Sequence, residues 1–119
     1  MKRTLVFGAS PNPDRASNRA VHLLKIKGFE PVPVGIKKGE IAGIPILNGQ
    51  PALEDIDTVS LYLSPDNQPE YYDYLLGLNP RRIIFNPGTE NPELMTLARE
   101  KGIEGEVACT LGMLAGGGY

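Results

Sequence analysis

The run Thr4-Leu5-Val6-Phe7-Gly8-Ala9-Ser10-Pro11-Asn12-Pro13-Asp14-Arg15-Ala16-Ser17 decides how the rest of the chain is read. Its first four residues are apolar or β-branched, as a buried strand requires, and a glycine and two prolines then stop that strand in a turn-rich loop. Beyond the loop, Ala20, Val21, Leu23 and Leu24 recur at helical spacing between Ser17 and Lys27. Asp14 or Ser17 is placed to cap the start of this helix, and Gly28 stands just past its end. Strand, loop and helix follow one another within a single short segment, as in an α/β unit.

Working outward, Val32, Val34 and Ile36 alternate with Pro31 and Pro33. Prolines two apart remove donors from one side of a strand, so this second strand belongs near the rim of a sheet. The stretch from Lys37 to Ala52 is broken by glycines and prolines and reads as irregular, with a brief extended piece through Ile44-Pro45-Ile46-Leu47. Thr58 to Leu63 is a third strand, ending at Ser64-Pro65. Asn67 and Glu70 have capping-box spacing ahead of a helix from Tyr71 to Leu78. Arg81 to Phe85 forms a fourth strand. Asn91-Pro92 then places a cap and a first-turn proline before a helix over Glu93 to Lys101. Glu106 to Cys109 is a fifth strand, and a short helical turn precedes a flexible tail over 116–119. Short apolar strands alternating with helices predict one α/β domain over 1–119, a three-layer fold around a mostly parallel sheet of about five strands.

Composition narrows the function. The chain has 119 residues with 14 glycines and 11 prolines, a clear excess, yet 41% of it is hydrophobic, which excludes disorder and collagen. A net charge of −2 without a long basic run argues against nucleic acid as a partner. No apolar stretch has membrane-spanning or signal-peptide length, so a cytoplasmic location is expected. One cysteine and one histidine agree with a reducing compartment and argue against a soft-ligand metal site.

In open parallel sheets, ligands bind beyond the carboxyl ends of the strands, where the strand order reverses. The residues at those ends include Gly8-Ala9-Ser10, Gly35-Ile36-Lys37-Lys38, Ser64-Pro65, Pro87-Gly88-Thr89 and Cys109-Thr110. Most are small, kinked or cationic, and a helix start beside them favours a phosphate. The dinucleotide fingerprint is absent, because Ser10 and Pro13 stand where its later glycines belong. Lys37 and Lys38 also replace the acid that would hold a ribose hydroxyl. A lysine pair suits a phosphorylated ribose, which leaves coenzyme A and NADP as candidates.

The Gly8 to Ser17 loop resembles that of small free-standing bacterial coenzyme-A-binding proteins, related to the coenzyme-binding domain of the succinate–coenzyme A ligase alpha subunit. Pro33-Val34, Gly43-Ile44-Pro45, Ser64-Pro65, Gly88 and Cys109 extend the likeness. The resemblance implies a Rossmann-like fold and binding of coenzyme A or an acyl-coenzyme A. Gly8, Ala9, Ser10, Arg15 and Ser17 would cradle the diphosphate, with Lys37 or Lys38 at the 3′-phosphate. Ser64 and Pro65 would line the nucleotide or pantetheine path, Gly88 would permit close approach, and Cys109 would end the fifth strand. The ligase segment carrying the phosphorylated histidine has no counterpart here, so the expectation is a binding protein without catalysis of its own.

Other readings of the residues stand beside this one. Cys109 reads as a small buried hydrophobe or as a thiol near the pantetheine sulfur. The alternatives to a binding protein are an NADP-dependent or thiol-transfer enzyme, or a nucleotide-sensing regulatory module. A homo-oligomer or a protein partner remains open. His22 lies on the first helix, away from these loops.

Overall fold

A computed structural model describes residues 2–119. The apolar run forms strand β1 (Arg3–Phe7), and the periodic segment after the loop forms helix α1 (Ala16–Ile26). Strand β2 (Glu30–Val34) follows, then a small hairpin of β3 (Glu40–Ile41) and β4 (Ile44–Pro45), and strand β5 (Ile56–Leu61). Two 3-10 turns lead into α2 (Tyr72–Gly77). Strand β6 (Arg82–Phe85), helix α3 (Pro92–Glu100), strand β7 (Glu104–Val107) and helix α4 (Thr110–Gly116) complete the chain.

Five strands form one parallel sheet in the order β2-β1-β5-β6-β7. The chain steps outward from β1 to β2, then returns to build the other half from β5. The order therefore reverses between β1 and β5, the place where doubly wound sheets open a crevice. Leu47 makes a single parallel bridge to Val34 on the outer side of β2. It stands where a third strand would lie, and with it counted the order becomes the Rossmann arrangement 3-2-1-4-5-6.

Each face of the sheet buries its own cluster. Val21 and Leu24 of α1 and Leu114 of α4 pack with Val6 on one face. Leu75 and Leu76 of α2 and Leu94 and Ala98 of α3 cover Leu5, Phe7, Val59, Leu61 and Phe85 on the other. The Rossmann-like α/β reading of the sequence is thus what the chain adopts. The prolines of β2 also sit as expected: Glu30 donates its amide toward β1, to the carbonyl of Lys2, while the carbonyl of Pro33 faces outward and accepts from Leu47.

Four local expectations change. Neither Asp14 nor Ser17 caps α1; Arg15 occupies the cap position, and no side chain bonds the first turn. The 67–70 capping box does not form, because Pro65 and Pro69 each open a separate 3-10 turn and delay the helix to Tyr72. Asn67 instead donates to the hydroxyl of Ser64 at 3.0 Å. The last strand begins at Glu104, two residues before the apolar signal, since a sheet-edge strand can leave its side chains in solvent. The C-terminus is anchored: the Tyr119 ring packs edge-on against Phe29 at 4.8 Å, lies 4.5 Å from the Arg82 guanidinium, and bonds Thr4 through its hydroxyl.

Candidate functional site

The loop after β1 is held in shape by its own short-range bonds. Ser10 Oγ accepts from the amide of Asn12, and Asn12 Oδ1 accepts from that of Asp14. Asn18, buried on α1, donates to the carbonyl of Ser10 at 2.9 Å and ties the loop to the helix. No side chain caps the start of α1, and its first turn holds no acidic residue, so the amides at the positive end of the helix are not spent on a capping side chain.

Two glycines let the ends of three strands converge. A Cβ on Gly35 would sit 2.1 Å from the Ala9 carbonyl oxygen, and one on Gly8 would sit 3.0 Å from the Tyr62 backbone at a φ of +97°. Only glycine fits either place. The amides of Gly8 and Ala9 both donate to the carbonyl of Val34 at 2.9 Å. Their part is therefore to join β1 to β2, and the amides themselves are not left for a phosphate. Asn48 fixes the facing loop by donating to the carbonyls of Gly35 and Lys37.

Between these loops lies a cavity of about 350 Å³. Gly8, Ala9, Ser10, Arg15, Ser17 and Lys37 line it, together with Phe7, Val34, Gly35, Ile36, Gly49, Tyr62, Leu63 and Tyr71. Arg15 and Lys37 are its cations, and no carboxylate lines it among the described residues. Burial raises the pKa of the Tyr62 phenol, which outweighs the opposing pull of the nearby Ser60 and Thr110 hydroxyls. This ring is a neutral part of the wall.

Five of the expected residues do not line this cavity. Lys38 follows the lining residue Lys37 but does not itself line the cavity, and Ser64 and Pro65 cap and open the 3-10 turn beyond Leu63. Gly88 lies in an exposed turn, its amide bonded to Glu90 Oε1. Cys109 is exposed at the start of α4, which corrects its reading as a buried hydrophobe. The missed residues Tyr62 and Leu63 had a usable signal. They immediately follow a strand that ends at Leu61, two residues earlier than the apolar run indicates.

The model of the family described as CoA binding domain matches residues 2–115. The chain belongs to this family. No curated protein matches the chain. Among solved structures, one described as an uncharacterized protein is 50% identical, covers 100% of this chain and 98% of its own, and superposes with a TM-score of 0.97. The Thermus thermophilus protein ID.343 is 21% identical over 99% of this chain and 90% of that one, at a TM-score of 0.88. A dinucleotide-forming acetyl-coenzyme A synthetase 1 from Ca. Korarchaeum cryptofilum, in complex with phosphate and ADP, shares 16% identity and a TM-score of 0.70. That match covers 92% of this chain and 26% of the synthetase. The latter two likenesses concern the fold alone.

Within this CoA binding domain the cavity lies at the reversal of strand order. Among the described residues, no cluster of metal-ligating side chains occurs, and no helix is long and apolar enough to cross a membrane.

Proposed function

We propose that this protein binds coenzyme A or an acyl-coenzyme A in the cavity at the ends of β2, β1 and β5, and performs no chemistry of its own. The observation that carries this reading is the lining itself: Arg15 and Lys37 with no acid among the described residues, beside an uncapped helix start. An anionic diphosphate gains from both the cations and the helix end. Arg15, Ser10 and the first turn of α1 would hold the diphosphate, and Lys37 would meet the 3′-phosphate. Lys38, Ser64, Pro65, Gly88 and Cys109 are left out of this assignment.

Thermal stabilisation in parallel with coenzyme A, dephospho-coenzyme A, NADP and NAD tests the proposal. A ligand at 100 times its dissociation constant adds about 2.7 kcal/mol to the native state. Coenzyme A should give the largest shift and the dephospho form a smaller one. Equal shifts for those two would remove the role given to Lys37. A shift with NADP alone would replace the reading by a nicotinamide-dependent one.

A further inference from the structure

The chain has seven asparagines, and proline follows four of them, Asn12, Asn79, Asn86 and Asn91. A proline nitrogen carries no hydrogen and cannot close a ring onto the preceding side chain. Asn18 is buried on α1 and precedes Arg19, and Asn67 precedes Gln68. Only Asn48 precedes glycine, which has no side chain to hinder attack by its own nitrogen. Both residues are exposed, and a Cβ built on Gly49, at its φ of +74°, would meet nothing within 4 Å. Among the described residues, no backbone carbonyl accepts from the Gly49 amide.

The same pair bears on the cavity. Gly49 lines it, and the Asn48 side chain holds the facing loop by donating to the carbonyls of Gly35 at 2.7 Å and Lys37 at 3.2 Å. We propose that Asn48-Gly49 is a self-modification site: in the empty protein Asn48 converts to an aspartyl or isoaspartyl residue, and the converted cavity binds its anionic ligand more weakly. The Gly49 nitrogen attacks Asn48 Cγ, the bond from Cγ to Nδ2 breaks, and Nδ2 leaves as ammonia with the Gly49 amide proton. Water then opens the cyclic imide at either carbonyl. This intramolecular attack needs the side chain to leave its two carbonyl partners, so it proceeds from the opened loop. A bound ligand favours the closed loop and slows the reaction. The product carboxylate cannot donate a hydrogen bond, which frees the loop bearing Lys37. It also brings a negative charge to a cavity that no carboxylate lines among the described residues. The inference rests on the coenzyme A reading above and adds a regulation of that same cavity.

Peptide mapping by mass spectrometry of wild-type protein aged at mildly alkaline pH, with and without saturating coenzyme A, provides the test. The Asn48 peptide should convert while those of Asn18 and Asn67 do not, and coenzyme A should slow the conversion several-fold. In calorimetric titration, Asn48→Asp should bind coenzyme A about tenfold or more weaker than fresh wild type, with a smaller loss for dephospho-coenzyme A. Asn48→Gln, whose longer side chain closes the ring far more slowly, should keep its initial affinity through ageing while the wild type loses affinity. Absence of conversion at Asn48, or an equal rate with and without coenzyme A, overturns the inference while leaving coenzyme A binding intact. An Asn48→Asp or fully converted protein that binds as fresh wild type does overturns it as well. If fresh wild type binds no coenzyme A, the coenzyme A reading itself falls and the inference with it. The aged wild type decides the question even if Asn48→Asp does not fold.

Discussion

The two halves of the sheet end differently. Where β2, β1 and β5 finish, glycines draw the backbones together and leave a cavity. Where β6 finishes, the space is filled by polar side chains that satisfy one another. Asn86 donates to the Ser60 hydroxyl and the Leu61 carbonyl, and its Oδ1 accepts from the amide of Thr110. Ser60 and Thr110 share a hydrogen bond of 2.7 Å. Gln68, with none of its surface exposed, donates to the carbonyls of Leu63 and Thr89 and accepts from Asn91. A carboxyl end of a strand is thus not a ligand site by position alone. It becomes one where the backbone leaves room and the polar groups are not already spent on each other.

The strongest way to break this comparison is to disturb the filled half. Asn86→Leu removes three bonds and leaves the Thr110 amide and the Leu61 carbonyl buried without partners, at about 3 kcal/mol or more. Urea unfolding should show that loss, while the folded protein still binds coenzyme A with near wild-type affinity. A folded Asn86→Leu protein that no longer binds would mean the two halves work as one.

In the open half, Gly35→Ala drives a Cβ into the Ala9 carbonyl and must part the ends of β1 and β2. A stability loss of about 2 kcal/mol is expected. Here coenzyme A affinity should fall with it, by at least about tenfold, because the same contact shapes the cavity. Normal affinity in this variant would show that the convergence of the loops is not what forms the site.

The cations give a smaller, purely binding effect. Losing one charge-assisted contact is worth about 1.5–3 kcal/mol, so Arg15→Ala should weaken coenzyme A by about tenfold or more with little change in stability. Lys37→Ala should weaken coenzyme A but not dephospho-coenzyme A, and Lys38→Ala should weaken neither. The reverse pattern for the two lysines would move the 3′-phosphate to the outer side of the loop.

Much of this was legible in the sequence because it rests on local patterns. The apolar run at Thr4 to Phe7, the helical spacing from Ala20, the paired prolines of β2 and the Asn91-Pro92 start of α3 each carry their own physical signal. Asn91 indeed accepts from the amides of Glu93 and Leu94. The family likeness added the coenzyme. What the sequence hid is three-dimensional. Nothing local says that Asn86 will spend its amide on Ser60 and Thr110, or that Gly35 will press on Ala9. Nor does spacing reveal that the two prolines after Ser64 act as successive stops. The glycine signal was also ambiguous: Gly8, Gly35 and Gly88 all follow strands, but only Gly8 and Gly35 are crowded by a neighbouring backbone.

Gly88 and Cys109 offer the finest cut, since both lie past strands of the filled half. Gly88 has φ near +91°, and a Cβ there meets nothing within 4 Å. Gly88→Ala therefore costs only the strain of that conformation, about 1–2 kcal/mol, with no steric effect on any ligand. Cys109→Ser alters an exposed atom outside the cavity and should leave stability nearly unchanged. Both variants should titrate with coenzyme A as the wild type does. If Cys109→Ser lost affinity while Gly88→Ala kept it, the ligand's thiol end would have to cross from β5 toward β7. The apolar side of the cavity at Leu63 and Tyr71 would then not be where the ligand ends.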